Sequence, residues 1–129
     1  MTITLPGRVP SKKNSKRIIQ AGGTPRLISS EAFLAWHEEM MLRIRSHRPK
    51  TPIVRASVAI TFFAENKRRF DLSNAAESVM DLLADAGILA DDSWVVVPEL
   101  KLLFGGIEPE KARAEIQINA AGLGAILAA

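Results

Sequence analysis

The sequence predicts a single mixed domain of the α/β (α+β) class, with a mixed sheet of about five or six strands and two main helices packed on it. Three observations predict this. Val54, Ala56, Val58, Ile60 and Phe62 alternate with Arg55, Ser57 and Thr61, residues 72–86 form a helical apolar arc, and 129 residues are enough for one core but not for two. Hydrophobic residues at 47% against charged residues at 24% describe a packed domain rather than a disordered chain.

Each element follows from local pattern. Ile3 and Leu5 alternate with Thr2 and Thr4, a first strand ending near Pro10. A basic polar loop covers 11–17. Ile18-Ile19, Gly22-Gly23-Thr24-Pro25 and Arg26-Leu27-Ile28 read as a small hairpin. Ser29 and Ser30 can cap a helix beginning near Glu31 and running to about Ser46, with Phe33, Trp36, Met40, Met41 and Ile44 as its core face. Pro49 and Pro52 separate it from a strand carrying Val54, Ala56, Val58, Ile60 and Phe62.

In the second helix, Leu72, Ala75, Ala76, Val79, Leu82, Leu83 and Ala86 share one arc. Ser73, Asn74, Glu77, Asp81 and Asp85 lie opposite, and Gly87 stops the helix. Trp94-Val95-Val96-Val97 reads as the start of another strand, at a sheet edge or bulged because of Pro98. Leu100–Phe104 and Ala112–Ile118 are expected to pair as a hairpin around Gly105-Gly106. The domain spans 1–119, and 120–129 is a small apolar tail.

The chain has 17 Lys and Arg against 14 Asp and Glu, a formal charge of +3. This mild excess suits an anionic partner, and its distribution sharpens the point. Basic residues gather as Lys12, Lys13, Lys16, Arg17 and again as Lys67, Arg68, Arg69. Each run is either a solvated surface loop or a phosphate-binding patch. The absence of cysteine excludes disulfides and thiolate zinc sites. No signal peptide is visible, and no run approaches the roughly 20 apolar residues a membrane helix needs, so a cytoplasmic location is expected.

The acids around the second helix carry the chemistry. Asp71 stands at a strand–helix junction, and Asp91-Asp92 stand where the chain returns to the sheet. Carboxylates brought together from such junctions are hard oxygen ligands suited to Mg²⁺, which can activate water beside a phosphate. Packing of the following strand beside the first is expected to return Asp92 toward Asp71. The structural alternative is ordinary: Asp is a common helix N-cap, and Asp-Asp-Ser a common turn.

These residues also carry a resemblance. Asp71-Leu72-Ser73-Asn74, Asp81-Leu82-Leu83 and Ala86-Gly87-Ile88-Leu89-Ala90-Asp91-Asp92-Ser93 resemble the signature of the RusA family of Holliday-junction resolvases, as does the early Pro10-Ser11-Lys12-Lys13-Asn14. The resemblance implies a small homodimeric, Mg²⁺-dependent endonuclease, with Mn²⁺ able to substitute, often carried by phages and prophages. Such a protein binds four-way DNA junctions and nicks opposing strands in recombination and repair. By position, Asp71 and Asp92 match the catalytic metal-binding carboxylates, with Asp91 as a further ligand. Lys12, Lys13, Asn14, Lys16, Arg17, Lys67, Arg68 and Arg69 are the expected DNA contacts.

Two positions depart from the family pattern. Ser73 replaces an Asp, and Glu77 stands where the family has Lys. These two residues are four apart on one helical face, so Glu77 is a candidate to supply the missing metal contact. Other motifs do not carry through. His37-Glu38-Glu39-Met40-Met41 lacks the second His of a zinc-protease helix, and His47 is isolated. Trp94 reads as core or interface. Besides the nuclease, two readings remain: a junction- or DNA-binding protein with weak or no nuclease activity, and a structural domain whose acids only cap helices.

Overall fold

The computed structural model describes residues 1–11, 16–21, 24–29 and 31–120, with side-chain surroundings for 1–11 and 31–120. In chain order the elements are β1 (Thr2–Pro6), β2 (Lys16–Ala21), β3 (Thr24–Ser29), α1 (Glu31–Ile44), β4 (Ser57–Ala64), α2 (Leu72–Asp85), β5 (Glu99–Ile107) and β6 (Arg113–Asn119). The fold is the expected mixed α+β domain with two main helices. Its six strands divide into a four-stranded sheet ordered β1-β6-β4-β5 and a separate antiparallel hairpin, β2 with β3. Within the larger sheet β1 and β4 run antiparallel to β6, while β4 and β5 run parallel. No helix among the described residues is long and apolar enough to cross a membrane.

The pleat puts alternate residues on one face, and here that face is apolar. Register aligns Ile3, Ile116, Ile60 and Leu102 in one row, and Leu5, Ala114, Phe62 and Phe104 in the next. Both helices cover this face. Phe33, Trp36, Met40 and Ile44 of α1 are buried against it, as are Ala75, Ala76, Val79, Leu82 and Leu83 of α2. The other face carries Thr2, Thr4, Thr61, Glu115 and Gln117, which suits a sheet wetted on one side.

Two sequence expectations are corrected. β5 and β6 do not form a hairpin, because β4 lies between them. Gly105 and Gly106 are not the turn but lie inside β5, at the register shift opposite Phe62 and Phe63. A side chain on Gly105 would meet the Phe63 ring at 2.6 Å, and Gly106 has φ +129°, so the glycine pair serves a close approach and a bulge.

The run Trp94–Val97 is not a strand either. It folds as a turn in which the Ser93 carbonyl accepts from the Val96 and Val97 amides, at 3.1 and 2.8 Å. Val96 and Val97 are buried under the start of β4, while Trp94 and Val95 face outward. Apolar content there reflects a plugged sheet end, which periodicity over four residues cannot separate from a strand. β4 correspondingly starts at Ser57 rather than Val54, since the Ala56 amide bonds to Val96 across the same plug.

Candidate nucleic-acid and metal site

β4 delivers the chain to residues 65–70 and then to α2. The Asn66 side chain accepts from the Arg68 amide at 2.9 Å, a local turn that shapes the Lys67-Arg68-Arg69 loop. Phe70 anchors its far end. Its ring stands edge-on to Phe62 of β4 at 6.0 Å and to Phe104 of β5 at 6.2 Å. The next residue, Asp71, is thereby fixed at the sheet's edge as the N-cap of α2.

Asp71 is a cap in the ordinary sense. Its Oδ1 accepts from the Ser73 amide at 2.9 Å and from the Ser73 hydroxyl at 2.6 Å. Ser73, the residue that departs from the family's Asp, therefore holds one oxygen of the carboxylate that remains. The carboxylate also lines a groove. Arg8, Val9, Pro10 and Ser11 form one wall; Arg68, Arg69 and Phe70 form the other, with Asn74 and Trp36 along the helices. Ser78, the one buried polar residue among those described, donates to the Pro10 carbonyl at 2.6 Å and ties the first wall to α2.

The charges in this groove are unbalanced. Among the described residues no carboxylate pairs with Arg8, Arg68 or Arg69. Arg113, by contrast, is fully engaged. It donates to Glu108, to Glu115 at 2.8 Å and to the Lys111 carbonyl at 2.8 Å, and it lies 3.8 Å above the Phe63 ring. Those bonds to Glu108 and Glu115 hold its guanidinium even more firmly protonated than usual. The buried indole N–H of Trp36 has no hydrogen-bond partner among the described residues.

Asp91 and Asp92 lie elsewhere. Because β4 and β5 are parallel, α2 must carry the chain from the C-terminal end of one to the N-terminal end of the other. Its fourteen residues rise about 21 Å, so Asp71 and Asp92 sit at opposite ends of the sheet. Strand packing does not return Asp92 toward Asp71 in one chain. The Asp91 carboxyl is held below the usual carboxylate range, first by the Ser93 hydroxyl and then by the Asp92 backbone amide. Glu77 is exposed and does not line the groove.

One cluster escaped the sequence reading. His37 of α1 lies between two acids of α2, with Nε2 2.9 Å from Asp85 and 3.9 Å from Asp81. Among the described residues these three form the one group whose donor atoms all lie within 4.8 Å. No sequence motif could mark it, since the residues meet only through helix packing. Arg8 was missed too, being isolated in sequence. Of the expected DNA contacts, Lys12, Lys13 and Asn14 lie outside the described residues, as do the side chains of Lys16 and Arg17 and the tail from 121 onward.

Asp71 thus caps α2 and opens into a groove whose walls carry Arg8, Arg68 and Arg69, none of them paired with a carboxylate among the described residues. The particular lineage follows from comparison with known families. The family model described as endodeoxyribonuclease RusA matches residues 6–119. The chain belongs to the RusA endodeoxyribonuclease family, and its class is therefore that of a nuclease of Holliday-junction-resolvase type. No curated protein matches the chain.

Proposed function

We propose that this protein is a Mg²⁺-dependent endodeoxyribonuclease that resolves four-way DNA junctions by phosphodiester hydrolysis, acting as a cytoplasmic homodimer in recombination and repair. Prophage carriage and Mn²⁺ substitution belong to the same reading. The observation that carries it is the placement of Asp71 in an arginine-walled groove, in a chain of this nuclease family.

Within one chain the acids do not make a complete metal site. Asp71 has one oxygen committed to Ser73, Glu77 is outside the groove, and Asp92 is at the far end of the sheet. When bound between carboxylates, Mg²⁺ supplies a polarised water and neutralises charge on the scissile phosphate. The chain's own residues do the rest. Arg8, Arg68 and Arg69 hold the DNA backbone against the groove, and Asp71 provides the fixed anionic oxygen at its floor.

Asp71→Asn is expected to abolish Mg²⁺-dependent nicking of a four-way junction while leaving junction binding intact or tighter, since one repelling charge is gone. Full nicking by that variant sinks the assignment. A second reading, a junction-binding protein with weak or no nuclease activity, is favoured by the Ser73 hydroxyl occupying Asp71 Oδ1. Cleavage assays with Mg²⁺ and Mn²⁺ on junction and linear DNA separate the two.

A further inference from the structure

We propose that His37, Asp81 and Asp85 form a Zn²⁺ site that pins α1 to α2, separate from the Asp71 groove and independent of the nuclease reading.

The three side chains converge from two helices. His37 lies in the middle of α1, and Asp81 and Asp85 lie one turn apart near the end of α2. Nε2 of His37 is 2.9 Å from Asp85 Oδ2 and 3.9 Å from Asp81 Oδ2, and one donor atom from each residue falls within 4.8 Å of the others. A tetrahedral ion with bonds of about 2.0–2.2 Å holds its donors about 3.3 Å apart. The two imidazole–carboxylate separations bracket that figure, so rotation of the two short carboxylates is enough to enclose an ion.

The imidazole is backed by packing. The ring of Phe33, one turn earlier on α1 and buried in the core, lies 5.9 Å from the His37 ring at 40°. A ligand held this way loses little freedom when it binds. The mouth of the cluster stays open to solvent, since 51% of the Asp85 side chain is exposed against 21% for His37. An ion can therefore enter, and three protein donors leave a fourth position for water.

Charge and ligand type select the ion. Two carboxylates four residues apart on one helix repel each other. A single imidazole can offset at most one of those charges, whereas a divalent cation matches both. One nitrogen with two carboxylate oxygens suits Zn²⁺, while Mg²⁺ prefers oxygen alone and keeps its waters. The chain has no cysteine and two histidines, and the other, His47, belongs to no such group among the described residues.

The cluster stands apart from the groove but bears on it. By the helix rise Asp81 lies about 15 Å and Asp85 about 21 Å along α2 from Asp71. Yet Ala32 and Trp36 of α1 line the groove opposite Asn74 and Ala75 of α2. His37 adjoins Trp36, so an ion that ties His37 to α2 holds those two sides of the groove in fixed relation.

The test uses the full-length, tag-free chain, stripped with a chelator and unfolded by heat with and without Zn²⁺, in the absence of DNA. Zn²⁺ should raise Tm by about 10 °C at about a hundredfold excess over its dissociation constant. His37→Asn and Asp85→Asn should each lose that gain, and Asp71→Asn should keep it. Because the gain is read within each variant, a change in the variant's own stability does not obscure it. No gain in the wild-type chain, an equal gain in His37→Asn, or loss of the gain in Asp71→Asn overturns the site. In an NMR titration with Zn²⁺ the ring signals of His37 should shift and those of His47 should not. A response at His47 alone, at both rings or at neither overturns it as well.

Discussion

Replacing Gly105 with alanine puts a methyl group where the ring of Phe63 lies. The added Cβ would stand 2.6 Å from two atoms of that ring and 2.9 Å from the Thr61 methyl. The ring cannot swing away without loss. The ring also carries the Arg113 guanidinium at 3.8 Å, and Arg113 is held by Glu108 and Glu115. Overpacking of this kind costs about 1–3 kcal/mol, and moving the ring off Arg113 forfeits about 0.5–1 kcal/mol of cation–π attraction. Reduced freedom of the unfolded chain returns about 0.4–1 kcal/mol. The net loss is about 0.5–3.5 kcal/mol, or roughly a 2–14 °C fall in Tm at about 4 °C per kcal/mol for a domain of this size. Thermal unfolding followed by circular dichroism measures it. An unchanged or higher Tm refutes the packing argument, and Phe63→Ala should remove most of the penalty when combined with Gly105→Ala.

Ser78→Ala removes the 2.6 Å bond to the Pro10 carbonyl. It should cost about 1–2 kcal/mol in urea unfolding and weaken junction binding, by freeing one groove wall. Arg8→Ala should lower junction affinity and reduce the slope of log affinity against log salt by about one. Arg113→Ala should leave that slope unchanged. The Asp91 carboxyl should titrate below 3.8 by NMR, and Ser93→Ala should move it upward. Since its folded pKa is depressed, its contribution to stability is present above the unfolded value and lost as pH falls through the folded one. No loss near neutral pH should trace to it.

Helix α2 was legible because fourteen residues sample enough turns for an apolar arc to stand out, and Asp71 and Gly87 punctuate its ends. β4 was legible from Val58, Ile60 and Phe62 alternating on one face. The order of strands was not. Nothing local in 99–119 says that β4 will insert between β5 and β6, and a glycine pair is as good a turn as a bulge until Phe63 is placed against it. The site divided the same way. Asp71 and the arginines beside it are contiguous in sequence and close in space. The relation of Asp92 to Asp71 depends on whether β4 and β5 run parallel. His37 meets Asp81 and Asp85 only after two helices pack.

The position of β6 bears on how the chain comes to be made. Thr2 pairs with Gln117, and β6 also supplies the antiparallel neighbour of β4. β1 therefore has no sheet partner until the final stretch of the domain is available, and most of the sheet depends on contacts between distant parts of the chain. Such topology folds slowly compared with locally wired domains. During synthesis α2 and the Asp71 groove can emerge first, but the sheet they rest on closes only when residues 113–119 arrive. The sheet beneath the groove is thus complete only once residues 113–119 have been made.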